Sequence, residues 1–335
     1  MPSRSRLFLA GDIGGTKTKL AVFDPKAGPR HPIAEGTFPS SHFPSLEALV
    51  SSFLEGKGWS ISLGSFGIAG PVTEGRVQVT NLDWVDDERS LSASLKFPVH
   101  LINDLVAIAY AVPHLESADL LDLNDRQAAP EGALAVIAPG TGLGEAYLVW
   151  DHDHFVPGPS EGGHADFAPT SPLEIDLLTY LLLKHSHVSY ESVCSGLGLP
   201  NLYAFLKDTL RYPEPDWLAR EFTRVVDPTP TIVQAAVAGR AEICSQAVRL
   251  FVSILGSEAG NLALKVYATG GVFLSGGMPG HILPFLKEPG FLQAFTAKGR
   301  FADRLERIPV KIIINPDAGL MGAAFHGMNI GWKND

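Results

Sequence analysis

A chain of 335 residues is too long for one compact core and points to two domains of ordinary size. Its 45% hydrophobic and 19% charged content describe a globular protein, and a formal net charge of −10 excludes a general nucleic-acid or anionic-membrane surface, since both need basic patches. Small molecules are the expected partners, with a local cationic site for a nucleotide still allowed. Cys194 and Cys244 fit neither a disulfide framework nor a zinc knuckle, which predicts a reducing, cytoplasmic setting. The apolar run after Arg4 and Arg6 is cut off by Asp12 and is too short for a secretory signal.

Strand-like runs at residues 7–13, 19–23 and 32–38 predict a meander, and a helix follows over 45–55, stopped by Gly56 to Gly58. Residues 63–69 and 76–80 read as strands, and 99–102 as a strand running into a helix over 103–112 that Pro113 ends. The pattern then restarts, with strands at 133–138 and 143–151 around the turn Pro139-Gly140-Thr141-Gly142. Helices are expected over 172–184, 191–208, 231–239 and 241–264; charges at Glu242, Arg249 and Glu258 make the last a core helix and not a membrane span. Strands return at 266–269 and 310–314, and a helix over 317–328 closes the chain. Two α/β halves, each opening on a glycine-rich hairpin, imply a duplicated nucleotide-binding fold with a cleft between the halves.

The first of these hairpins, Gly11-Asp12-Ile13-Gly14-Gly15-Thr16-Lys17-Thr18, reads as a phosphate site, because glycine lets backbone N–H groups converge on an anion. It is not a P-loop: Thr16 stands where the second Gly belongs, and a strand follows instead of a helix. Asp12 is placed to hold Mg²⁺, usually through water. Asn103-Asp104, at the carboxyl end of a strand, offers either a catalytic carboxylate or a plain helix cap. Ser160-Glu161-Gly162-Gly163-His164 packs an acid and an imidazole around a Gly-Gly pair, suited to polyol hydroxyls, and Glu191 offers a third such group or a helix N-terminal acid. Gly140-Thr141-Gly142-Leu143-Gly144 fails the dinucleotide fingerprint, because Glu145 replaces its third glycine spacing. Thr269-Gly270-Gly271-Val272 would end a buried strand, as a simple turn or as a close approach to adenine. Asp151-His152-Asp153-His154 reads as a polar hairpin turn, and His185 and His187 as a polar helix end; neither is assigned to a metal.

Taken in order, Gly11 to Thr16, Ile102-Asn103-Asp104, Gly140 to Gly144, Glu161-Gly162-Gly163-His164-Ala165-Asp166-Phe167-Ala168-Pro169 and Thr269-Gly270-Gly271 resemble the bacterial glucokinases over nearly the whole chain, and the stretch from Tyr190 to Tyr203 is similar to their segment carrying a sugar-binding glutamate. The resemblance implies two actin-like ATPase-type α/β domains flanking a cleft that closes on the sugar: residues 1–112 completed by 316–335, and residues 113–315. It implies ATP and Mg²⁺ as the donor system, glucose as acceptor, Asp104 as the catalytic base, and Asn103, Asp104, Glu161, His164 and Glu191 as ligands of the sugar. Gly11, Asp12, Ile13, Gly14, Gly15 and Thr16 would form one phosphate loop and Gly140, Thr141 and Gly142 the other, with Gly270 and Gly271 as the adenosine loop and Asp12 as the water-mediated Mg²⁺ ligand. At a helix start, Asp104 is expected to stay ionised. The neighbouring repressor and sugar-kinase family differs in a zinc-binding cysteine cluster and in a DNA-binding helix pair ahead of its first loop; neither is expected here. Another hexose, an amino sugar or a polyphosphate donor are the alternative substrates. The oligomeric state is left open, with a homodimer as one option.

Overall fold

The apolar alternation of the first strand decides where it must sit. In β1 (Leu7–Ile13) Leu9 and Ile13 face one way and Phe8 and Ala10 the other, and all four are buried, so the strand needs cover on both sides. The computed structural model, which describes residues 7–80 and 82–332, supplies that cover. Leu9 and Ile13 join Leu46, Leu49, Val50 and Phe66 on one face, while Phe8 and Ala10 meet Leu320, Ala323 and Ala324 of the closing helix Ala318–Trp332 on the other. A Cβ on Gly322 of that helix would fall on the Ala107 carbonyl oxygen, so glycine is what lets the helix lie so close to the helix Asp104–Ala111.

The described chain divides into two compact units, one built from residues up to Asp119, residues 155–157 and the chain from Asn315 onward, the other from residues 120–154 and 158–314. In the first, β1 pairs antiparallel with β2 (Lys17–Phe23), β2 with β3 (Pro32–Pro39), and β1 runs parallel to β4 (Ile61–Ile68). Two short strands, β5 (Arg76–Gln78) and β6 (Val85–Asp87), form a separate hairpin, and β7 (Val99–Asn103) completes the sheet beside β4, giving the order β3-β2-β1-β4-β7. The register sets Ile13 level with Ile68 and Ile68 level with Asn103. The carboxyl ends of three parallel strands therefore share one edge, where ligands bind in open α/β sheets.

The second unit repeats the plan. β8 (Leu120–Asp122) comes first, then β9 (Leu134–Pro139), β10 (Leu143–Asp151), β11 (His154–Ser160), β12 (Gly271–Leu274) and β13 (Val310–Ile313), in the order β11-β10-β9-β12-β13-β8. Without β8, this is the third, second, first, fourth and fifth strand in turn, as in the first unit, and β9, β12 and β13 are parallel. Its core is organised by the helix Glu242–Val266, in which Phe251, Leu255 and Ala259 have no exposed surface. That helix is long and apolar enough to cross a bilayer, but 78% of its most apolar window is buried inside the unit, so its apolar surface is spent on the core.

Several expected elements differ. The chain over residues 190–198 is a series of turns, and the helix starts only at Leu199 (Leu199–Asp208), because Gly196 and Gly198 break the run and Pro200 suits a first turn. Residues 266–269 are not a strand: the long helix runs to Val266, Tyr267 caps it in a left-handed conformation (φ 53°), and the strand begins at Gly271. The helix Glu88–Leu95, capped by Asp87, was missed because Leu91 is its one buried residue and gives no apolar period.

Candidate active site

In the first unit the glycine-rich loop is pinned from below. Gly14 N donates to Lys17 O at 3.1 Å, Ser40 N donates to Thr16 O at 3.0 Å, and the Ser40 hydroxyl donates to Gly14 O at 2.7 Å. Asp12 lies just ahead of it, across the β1–β2 ladder from Lys19, whose ammonium is held by Asp317 at 2.9 Å and Glu35 at 3.2 Å. Burial first, and then the negative charge of Asp104, push the Asp12 carboxyl up to about 6, with Asp317 adding to the effect and Lys17 and Lys19 opposing it. Four carboxylates, Asp12, Glu35, Asp104 and Asp317, and two ammonium groups thus gather around this corner, and burial with the nearby acids outweighs the lysines at Asp12.

Asn103 and Asp104 separate the two roles that the dipeptide offered. Asn103 is the cap: its side-chain oxygen accepts from Leu105 N at 2.9 Å and Val106 N at 3.3 Å, and the helix begins after it, at Asp104. Its amide also donates to Gly70 O at 3.0 Å, which uses one of its two amide hydrogens. Asp104 accepts from Leu105 N at 2.9 Å. Although hydrogen bonds to backbone and to Asn103 lower its pKa, burial outweighs them and raises it, so the helix start does not set the direction of the shift.

In the second unit Glu191 is the hub. It does not open a helix; its Oε2 accepts from Leu143 N at 2.9 Å, its Oε1 lies 3.9 Å from His164 Nε2, and its backbone N donates to Gly163 O at 2.8 Å. A Cβ on Gly142 would collide with the Glu191 carboxylate, so the phosphate-type turn and the acid are built against each other. Gly196 N donates to Gly140 O at 2.8 Å and Leu197 N to Thr141 O at 3.2 Å, which turns those two carbonyls toward the Gly196-Leu197 segment, while Gly142 O accepts from Gly140 N at 2.9 Å within the turn. Glu161 and His164 flank Gly162 and Gly163 on a single short turn, both exposed.

Gly270 and Gly271, expected as the adenosine loop, lie at the end of β12 away from the Gly140 turn. They are buried and precede β12, and a Cβ on Gly270 would fall on Gly132 O, at the sheet edge where β9 begins. The phosphate-type turn is at the other end of β9. The glycines at that end are Gly276 and Gly277, both exposed; Gly276 has φ +85°, and a Cβ on it would come within 2.7 Å of Pro139 O. The signal is in Leu274-Ser275-Gly276-Gly277, a glycine pair after an apolar strand, once the strand is placed five residues later.

Asp151-His152-Asp153-His154 makes the hairpin turn between β10 and β11, with His152 in a left-handed conformation. His187 pairs with Asp166 at 2.9 Å on the surface, beyond the helix Pro172–Leu182. Among the described residues no three His, Cys, Asp or Glu side chains group to hold a metal on their own.

A family model described as Glucokinase matches residues 9–330. The chain belongs to the glucokinase family. It is 40% identical to the glucokinase of Nostoc punctiforme over 333 residues, covering 95% of this chain and 98% of that protein. It is 37% identical to an Escherichia coli glucokinase over 321 residues, covering 95% and 96%. The crystal structure of a glucokinase from an Antarctic psychrotroph superposes with a TM-score of 0.84 at 32% identity, covering 96% of this chain and 99% of that one, so the family's two-part α/β fold is the fold described above.

Proposed function

We propose that the protein transfers the terminal phosphoryl group of ATP to the 6-hydroxyl of glucose, giving ADP, glucose 6-phosphate and a proton. The relationship to glucokinases over nearly the whole of both chains carries this reading. The residue roles extend what the resemblance implies, and the local geometry within each unit supports them. Asp104 receives the hydroxyl proton; burial raises its pKa toward the operating range, which improves a carboxylate as an acceptor. Asn103 keeps one amide hydrogen for a sugar hydroxyl after serving as the helix cap. Glu191 and His164, 3.9 Å apart, present an acceptor and a ring nitrogen to neighbouring hydroxyls, and Glu161 adds a second carboxylate.

With Gly14 N held by Lys17 O and Gly140 N by Gly142 O, the backbone N–H groups of Gly15, Thr16, Thr141 and Gly142 would receive the phosphates, and Gly276-Gly277 would let the adenosine approach the backbone. The donor set at Asp12 fits Mg²⁺, since it is a hard oxygen ligand with Asp104 and Asp317 close enough to raise its pKa, a corner short of positive charge. Bound there through water, Mg²⁺ would offset the charge of the phosphates. The purified protein should convert glucose with ATP in an assay coupled to oxidation of glucose 6-phosphate. Mannose, fructose, glucosamine and polyphosphate, run beside it, test acceptor and donor choice, and no turnover of glucose with ATP would refute the proposal.

A further inference from the structure

The second unit buries an acid that the reaction above does not use. Glu145, on β10, has 2% of its surface exposed, and its Oε1 is buried with no hydrogen-bond partner. A carboxyl in that state costs free energy unless it performs a task or sheds its charge. Two features define its surroundings. Above it, a Cβ on Gly162 would fall inside the Glu145 carboxyl, so the turn that carries Glu161 and His164 rests directly on this side chain. Below it, on the helix Glu242–Val266, is Glu258, wholly buried. Glu258 has partners of its own: Lys265 Nζ lies 3.1 Å from its Oε1 and Asn261 donates to its Oε2 at 2.8 Å. Asn261 also donates to the Tyr190 hydroxyl at 2.9 Å, one residue before Glu191. The cluster thus reaches the sugar-facing segments at two points.

We propose that Glu145 is a positioning residue of the sugar site: its carboxyl, backed by Glu258, is the seat on which Gly162 rests, and it sets the placement of Glu161, His164 and Glu191. The inference rests on reading those three residues as sugar ligands. Burial, reinforced by the negative charge of Glu258 and only partly offset by Lys265, raises the Glu145 pKa well above the usual carboxylate range. The other charged or titratable groups around the pair are Tyr190 and Cys194 beside Glu191, Lys298 near Glu258 with Glu174 beyond it, and Glu161 and His164 on the turn itself. Burial and the charge of Glu258 thus favour the uncharged form of the seat. Loss of its proton is opposed by the charge of Glu258, and a shift of the Glu145 carboxyl is passed to the Gly162 turn that rests on it.

The test measures KM for glucose, KM for ATP and kcat from about pH 6.5 to about pH 9.5, a range that spans the raised carboxyl. In the wild-type protein KM for glucose should rise at the alkaline end while KM for ATP stays level. Glu145→Gln, which keeps the shape of the uncharged acid, should hold KM for glucose within about twofold at neutral pH and abolish the alkaline rise. Glu145→Ala removes the seat and should raise KM for glucose about tenfold with KM for ATP unchanged. An alkaline rise that survives in Glu145→Gln, or one that wild type never shows, overturns the proposal, as does a parallel change of both KM values in Glu145→Ala; if the alanine variant does not fold, the glutamine profile decides. Glu161→Gln tests the underlying reading separately: if it leaves KM for glucose unchanged, the sugar-ligand assignment fails whatever Glu145 does.

Discussion

Asp104→Asn separates a proton acceptor from a structural acid with unusual clarity, because the helix cap belongs to its neighbour. The Asn103 side chain holds Leu105 N and Val106 N, so the substitution at 104 leaves the cap untouched. The oxygen that accepts from Leu105 N at 2.9 Å is retained in asparagine. What is lost is one negative charge at a helix start, about 0.3–1 kcal/mol, and this is offset by no longer burying a charge whose pKa burial has raised. Net stability should change by less than about 1 kcal/mol. The loss of the acceptor should lower kcat by about 10²- to 10⁴-fold, with a smaller effect on KM for glucose. Coupled kinetics and urea unfolding on the same preparations measure both quantities. Asn103→Ala is the counterpart: it removes the cap and the bond to Gly70 O, and should cost about 1–2 kcal/mol of stability. If Asp104→Asn keeps kcat within about tenfold of wild type, the acceptor role is refuted.

Glucose alone, at about 100 times its Kd, should raise stability by about 2.7 kcal/mol, seen as a higher Tm; an unshifted melting curve with glucose, and a shift with ATP only, would count against Asn103, Glu161, His164 and Glu191 as sugar ligands. Gly276→Ala should raise KM for ATP and leave KM for glucose level, whereas Gly270→Ala should cost stability with both KM values intact, since its Cβ would meet Gly132 O far from the loop; the reverse pattern would restore Gly270-Gly271 as the nucleotide contact. His326 is 8% exposed, bonded through Nδ1 to Ser65 Oγ at 2.9 Å with His100 and Tyr110 beside it, and burial, then His100, depress its pKa from 6.5 to about 4. Its stabilisation is therefore present above pH 6.5 and lost as pH falls toward about 4; the advantage of wild type over His326→Gln should shrink by about 2 kcal/mol between pH 7.5 and pH 5. The difference between the two proteins is the quantity to measure, because the raised carboxyls of Asp12 and Glu145 shift stability in the opposite direction over acid pH and cancel in the comparison.

What the sequence made legible follows from how local each signal is. A hairpin such as β1–β2 is specified within twenty residues by two apolar strands and a glycine turn, and the run from Val99 to Asp104 announces both its strand and its helix start. Glu191 is a different case. Its neighbours Tyr190, Val193 and Cys194 are buried in a helix-like spacing, but that burial comes from packing a coil against β9, β10 and the long helix, and the turn is stabilised by bonds to Gly163 and Leu143 from elsewhere in the chain. Apolar spacing reports burial, and only tertiary contacts decide whether the buried segment is a helix. The adenosine loop is ambiguous for the converse reason: a Gly-Gly pair occurs at both ends of β12, and composition alone does not say which end of the strand it marks. Register decides it, since Leu274 lies level with Ile137 and so brings Ser275 and Gly276 to the edge where Pro139 and Gly140 turn. The same reasoning explains why Glu145 carried no signal as a site residue. It stands where a strand of a duplicated fold has an inward position, and its meaning comes only from Gly162 above it and Glu258 below it, each more than ten residues away in sequence.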